Sequence, residues 1–193
     1  MKERPLIFGI SGIARCGKDT LARHLIAKLQ KSGFPAIPIS FASVLKYDLD
    51  AFLKEKVNIS AFTEITQEKE IIRPLLVAYG TNVCRKIDPD CWIKKIEKQV
   101  KASINNKIIV VIPDVRYENE GKWIKENGGF LIHLSRMRQK PFVFEEKVND
   151  PIVKKIADYK IRWKTFTDEK ETCNYHLSKL FYSKGWSTYG QFK

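Results

Sequence analysis

Between Gly12 and Thr20 the chain reads GIARCGKDT, a group of residues suited to holding phosphate. Gly12 and Gly17 allow backbone angles that a side chain would forbid. The N–H groups of the intervening Ala14, Arg15 and Cys16 can then turn into one concavity at the positive end of a following helix. Lys18 adds a mobile full charge for the outer phosphates of a nucleotide such as ATP. The commoner loop of this kind places a hydroxyl directly after the lysine. Here Asp19 stands there and Thr20 follows. A carboxylate beside a phosphate site repels the ligand unless a cation stands between them. Asp19 is therefore a candidate Mg²⁺ ligand, direct or through water, because Mg²⁺ prefers hard oxygens. Thr20 offers a second oxygen for the metal or a bond to phosphate. The plainer alternative for Asp19 is a favourable charge at a helix start.

Such a loop works only between a strand and a helix. Leu6, Ile7, Phe8 and Ile10 supply the apolar run of a buried strand, and Leu21, Ala22, Leu25, Ile26 and Leu29 recur at helical spacing. The alternation continues downstream. Strands are expected near 6–12, 36–40, 107–113 and 130–135, with a fifth near 173–178. Helices are expected near 18–32, 43–56, 68–86, 89–104 and 117–127. Gly33 and Gly128-Gly129 mark helix ends. Pro74 either opens a new helical segment or kinks the 68–86 helix. This pattern predicts an α/β fold with a mainly parallel sheet flanked by helices.

The run KIIVVIPDVRYENE (107–120) carries a second chemical group. Its five apolar residues make a buried parallel strand. Asp114 and Arg116 follow at the C-terminal end, where α/β sheets bind ligands. Asp114 can hold Mg²⁺ through water or accept a substrate hydrogen bond. Arg116 can grip a phosphate with its planar fork. The alternative is a simple surface pair between the two. Asn119 and Glu120 read as residues that cap or orient the turn. A third group lies in IIRPLLVAYGTNVCRKIDPDCW (71–92). Arg73 and Arg85 flank Gly80-Thr81, and a glycine within a helix suggests close approach of a ligand or a second helix. Trp92 is equally suited to a core and to stacking on a base.

The three groups together resemble the deoxynucleoside monophosphate kinases of bacteriophages and related viruses, within the P-loop nucleotide kinases. GKDT at 17–20, ISFAS…LK at 39–46, RPLLVAYGTNVCRKIDPDCW at 73–92 and PDVRYENE at 113–120 follow that family's successive blocks in order. The resemblance covers about residues 5 to 136, and animal phosphomevalonate kinases carry a similar GKD loop. It implies ATP-dependent transfer to a nucleoside monophosphate, giving the diphosphate. Lys18 then binds the transferring phosphate, and Asp19 with Thr20 serves Mg²⁺. Arg73, Arg85, Arg116 and Asp114 face the acceptor, with Lys46, Gly80, Thr81 and Trp92 around its sugar or base. Arg136 and Arg138 follow the strand FLIHLS, where kinases of this type begin a lid. Arg136 is placed with the catalytic groups and Arg138 with the nucleotide.

Composition bounds the rest. At 193 residues the chain suits one P-loop kinase domain, with an acceptor-binding helical region near 43–104 and a basic lid near 137–172. No apolar run approaches the roughly 20 residues of a membrane helix. The basic N-terminus does not read as a signal peptide. Cys16, Cys84, Cys91 and Cys173 lack metal-ligand spacing and read as reduced thiols of a cytoplasmic protein, in a host cytoplasm if the source is viral. Net charge is +13. It is spread along the chain and densest over 136–164, as phosphorylated substrates or a solvated surface would require. Basic charge without an aromatic–basic repeat argues against a nucleic-acid partner. A homodimer is compatible with the sequence. Two other functions compete: kinase action on another phosphorylated metabolite such as phosphomevalonate, and nucleic-acid binding by a P-loop protein that is no kinase.

Overall fold

The computed structural model describes residues 4–164 and 168–186. The chain divides into two compact units, one made of residues 1–39 and 99–193 and the other of residues 40–98.

The first unit is a five-stranded parallel sheet of order β2-β3-β1-β4-β5. The strands are β1 (Ile7–Ser11), β2 (Ala36–Pro38), β3 (Ile109–Val115), β4 (Phe130–Arg136) and β5 (Tyr159–Trp163). Alternation along the strands sends side chains to two faces. On one face Phe8, Ile10, Val111, Ile132 and Leu134 join a core with Leu21, Leu25 and Leu29 of α1 (Lys18–Lys31). Leu177, Leu180 and Phe181 of α8 (Glu169–Lys184) complete it. The other face carries Gly9 and Leu131. There α6 (Glu118–Glu126) comes so close that a Cβ at Gly9 would lie 2.6 Å from Ile124 Cδ1. Helix α7 (Phe144–Ile156) packs beside α6. The chain leaves β1 toward the β2 edge and leaves β4 toward the β5 edge. The carboxyl ends of β1 and β4 thus flank the point where strand order reverses, the usual ligand crevice of such sheets.

The second unit is helical. It holds α2 (Phe41–Val57), α3 (Thr66–Val77), a π-helical segment (Ala78–Cys84), the single turn α4 (Arg85–Ile87) and the start of α5 (Cys91–Asn105). One apolar cluster in it gathers Leu53, Ala61 and Ile72, and Phe41, Trp92, Ile93 and Ile96 are buried as well. Asp50 ties α2 to the following loop by accepting from Ser60 Oγ at 2.7 Å and Ala61 N–H at 2.9 Å.

Two expectations need correction, and a third gains detail. The fifth strand is 159–163, not 173–178, which lies within α8. Cys173, Leu177, Leu180 and Phe181 are its buried residues, spaced as a helix requires. Alternating polar and apolar types in CNYHLS imitate a strand. The segment 137–172, expected as a basic lid, contains α7 and the edge strand β5; residues 165–167 lie outside the described part. In β5 Ile161 and Trp163 point inward while Lys160 and Arg162 are exposed. Charged outward residues blunt a sheet edge, and here they also disguise the strand as part of a basic cluster. Last, the 68–86 helix is three pieces. Pro74 sits inside α3 without ending it, and the geometry changes at Ala78, where the π-helical segment begins. No helix among the described residues is long and apolar enough to cross a membrane.

Candidate active site

The loop after β1 has the geometry its glycines foretell. Gly12 has φ 141° and Gly17 φ 102°. Both are also pressed against neighbours. A Cβ on Gly12 would stand 2.2 Å from the Leu134 carbonyl oxygen of β4, and one on Gly17 would stand 2.6 Å from the Trp163 ring of β5. Between them, Cys16 is fully buried, and its carbonyl accepts the Trp163 indole N–H at 2.9 Å. Burial pushes the Cys16 thiol up, as suits a cysteine packed in the core. All four cysteines are free.

Gly17 caps α1, and Leu21 N–H bonds its carbonyl at 3.0 Å. The N–H groups of Lys18, Asp19 and Thr20 form the first turn, whose donors have no intrahelical acceptor. Lys18 is only 8 % exposed, and its Nζ donates to the Ile13 carbonyl at 2.8 Å. Burial draws its ammonium below the usual lysine range and nearby Arg116 adds to this, while Cys16, Asp19 and Glu146 oppose it. A cation held in a partly desolvated pocket attracts anions more strongly than one in water. Asp19 is exposed and Thr20 half-buried at the same helix start. Their hard oxygens fit Mg²⁺, which is commonly held by one or two carboxylates plus substrate phosphates. Among the described residues no group of three or more His, Cys, Asp or Glu side chains is placed to hold a metal alone.

Arg116 follows β3 directly. Its exposed guanidinium lies 3.4 Å, at Nη1, from Glu146 Oε1 on α7. The same oxygen accepts the Ala14 N–H of the loop at 2.9 Å. One carboxylate thereby brings Arg116 within a few ångströms of the phosphate loop. Glu120, buried in α6, accepts the Arg116 N–H at 2.7 Å and the Tyr117 N–H at 3.0 Å. It orients the turn that carries Arg116, as the sequence suggested. Asp114 is half-buried in the same strand end. Arg136 ends β4 opposite Trp163, and Arg138, with φ 63°, is exposed in the turn beyond. Arg15 leans its guanidinium over the Phe142 ring at 5.2 Å.

Glu146 and Trp163 were not legible as site residues. Their elements are remote in sequence, and only α7 and β5 bring them in. His133, on β4 and paired with Ser11 of β1, is buried with Nε2 3.1 Å from Asp150 Oδ1. Glu146 and Asp150, four residues apart, share one face of α7.

The other expected residues belong to the helical unit. Gly80 is buried, and a Cβ there would stand 2.2 Å from Leu45 Cδ1, so the close approach is by a side chain of α2. Trp92 is 2 % exposed and gives its indole N–H to the Gly80 carbonyl at 3.2 Å. Of its two suggested roles, core residue and base platform, its burial here matches the first. Lys46 is half-buried with Nζ 5.5 Å above the Phe62 ring, and Arg85 donates to the Pro89 carbonyl at 3.4 Å. Arg73 is exposed and Thr81 half-buried. Tyr79 donates to Asp48 Oδ2 at 3.0 Å, and Lys95 pairs with the same carboxylate.

Fold and loop together define a P-loop kinase. The chain belongs to the phosphomevalonate kinase family, whose family model matches residues 10–130. No curated protein matches the sequence. Among solved structures, dephospho-CoA kinase from Campylobacter jejuni is 16% identical, with a TM-score of 0.51 over 94% of this chain and 99% of that one. Shikimate kinase from Acinetobacter baumannii, in complex with shikimate, is 15% identical, with a TM-score of 0.48 over 93% of this chain and 94% of that one. At such identities the likeness is one of fold. The matched family is the one noted for its similar GKD loop, not the viral deoxynucleoside monophosphate kinases that the sequence blocks resemble.

Proposed function

We propose that the protein transfers the terminal phosphoryl group of Mg-ATP to the phosphate of a small phosphomonoester, giving a diphosphate. The observation that carries this reading is the placement of Arg116. A guanidinium fork at the end of β3 shares Glu146 Oε1 with a loop amide. Beside a loop built for nucleotide phosphates, such a fork suits a second phosphate, that of the acceptor. The first-turn amides and Lys18 hold the donor phosphates. Asp19 and Thr20 hold the metal, which neutralises charge on them when bound. An acceptor phosphate is already anionic, so no general base is needed. Positioning and neutralisation supply the catalysis.

Two acceptors have specific support. The family match favours mevalonate phosphate. The succession of GKDT, RPLLVAYGTNVCRKIDPDCW and PDVRYENE favours a deoxynucleoside monophosphate, as in the kinases these blocks resemble. A coupled ATP-consumption assay against mevalonate 5-phosphate and the common nucleoside and deoxynucleoside monophosphates decides between them. In the same assay Arg116→Ala should raise the acceptor KM about tenfold, worth roughly 1.4 kcal/mol, while ATP affinity stays within about threefold. Lost ATP affinity with an unchanged acceptor KM would move Arg116 to the donor side. Turnover with no phosphomonoester, alongside salt-sensitive binding to DNA, would leave a P-loop nucleic-acid binder as the better reading.

A further inference from the structure

Among the described residues Glu146 bonds three donors, two backbone amides and a guanidinium, of which the loop amide and the guanidinium suit an anion. Its Oε1 accepts the Ala14 N–H of the phosphate loop at 2.9 Å and faces Arg116 Nη1 at 3.4 Å. Its Oε2 accepts the Phe142 N–H at 3.1 Å, just before α7 begins. The side chain is 8 % exposed and is close enough to Lys18 to act on it electrostatically. A carboxylate so placed has the charge, the oxygen geometry and the partners of a phosphate edge.

We propose that Glu146 is a displaceable stand-in for the outermost phosphate, which ATP must expel to reach the Ala14 amide and which frees Arg116 when it leaves. The inference rests on the loop being a nucleotide phosphate site. Two negative groups cannot share one amide and one guanidinium without mutual repulsion, so the two states exclude each other. In the first, Glu146 keeps Arg116 parked beside the loop and anchors the start of α7. In the second, phosphate replaces the carboxylate, and Arg116 gains a free fork at the moment a donor is in place. ATP binding and readiness for the acceptor become linked through one side chain.

Position along the loop sharpens this. Ala14 lies in the early part of the loop, and Arg116 lies at the end of β3, whereas the α1 first turn begins at Lys18. The carboxylate therefore competes with the transferring end of the nucleotide and not with the phosphates seated at the helix start. ATP should feel it and ADP should feel it little.

Glu146→Gln tests the idea, because the amide keeps an oxygen for the Phe142 N–H and removes the charge. Calorimetric titration of wild type and variant with ATP and with ADP, at fixed Mg²⁺, gives four dissociation constants. The expected result is about tenfold tighter ATP binding in the variant, with ADP changed by less than about threefold. Unchanged or weaker ATP binding would overturn the proposal and make Glu146 a helper of nucleotide binding or a mere helix anchor. Equal tightening for ATP and ADP would also overturn it, since a general loss of negative charge would explain that. If wild type binds neither nucleotide, the phosphate site itself falls and the stand-in with it. Thermal melts of both proteins, with and without ATP, cover the case of a weakened fold. The variant then melts lower alone yet gains more degrees from ATP than wild type.

Discussion

The phosphate loop and the helical unit are built on opposite plans. Residues 12–17 are pinned from several directions: Leu134 against Gly12, Trp163 against Gly17 and Cys16, and Glu146 on Ala14. The contacts come from three elements of the sheet unit, β4, β5 and α7. The helical unit is held by shorter-range contacts: a cluster of Leu53, Ala61 and Ile72, and polar ties around Asp50 and Asp48. It leaves apolar side chains such as Tyr47, Ile71 and Val83 exposed. A donor site must present fixed dipoles to a constant ligand, the phosphate chain, and rigidity serves it. A region tied mainly by local contacts opens more readily.

The contrast can be broken first at Trp163. Trp163→Ala removes a fully buried ring and an indole bond behind the loop, and should cost about 3–5 kcal/mol of stability together with most ATP affinity. Denaturant unfolding and ATP titration check it. Normal ATP affinity in the folded variant would mean the loop holds its shape unaided. Next in size is Lys18→Ala, with an expected rate loss of 100-fold or more, roughly 3 kcal/mol, and little change in melting temperature. Near-normal turnover would remove Lys18 from the mechanism.

Ile72→Ala probes the other side. Removing this buried side chain from its cluster should cost about 2 kcal/mol and loosen the helical unit. Hydrogen exchange should rise over residues 41–77 while the ATP dissociation constant stays put. Uniform loosening of both units would show that they fold as one, contrary to the comparison. The smallest effect is expected at Asp19. Asp19→Asn should raise the Mg²⁺ midpoint of activity a few-fold, since an amide oxygen is a weaker ligand for a hard dication. If Asp19 only favours the helix start, a stability loss of about 0.3–1 kcal/mol appears with no shift in that midpoint.

The amino-acid sequence by itself determined the geometry of the glycine loop to a large degree. Strand, glycine loop, lysine and helix are contiguous, and their meaning is local: glycine's φ range, the helix dipole and one charge. The β3 end with Arg116, and Glu120 as its orienting acid, were legible for the same reason. Tertiary structure alone decided what stands around them. Trp163 backs the loop from 147 residues away, and Glu146 reaches Ala14 across a separation of 132. No local rule couples positions so far apart; the fold does, by laying β4 beside β1 and β5 beside β4. It also decided the fates of ambiguous residues. Whether Trp92 packed or stacked, and what approached Gly80, depended on where α2 and the π-helical segment came together. Period and spacing can name a side chain's chemistry, but burial and partner are properties of the folded neighbourhood.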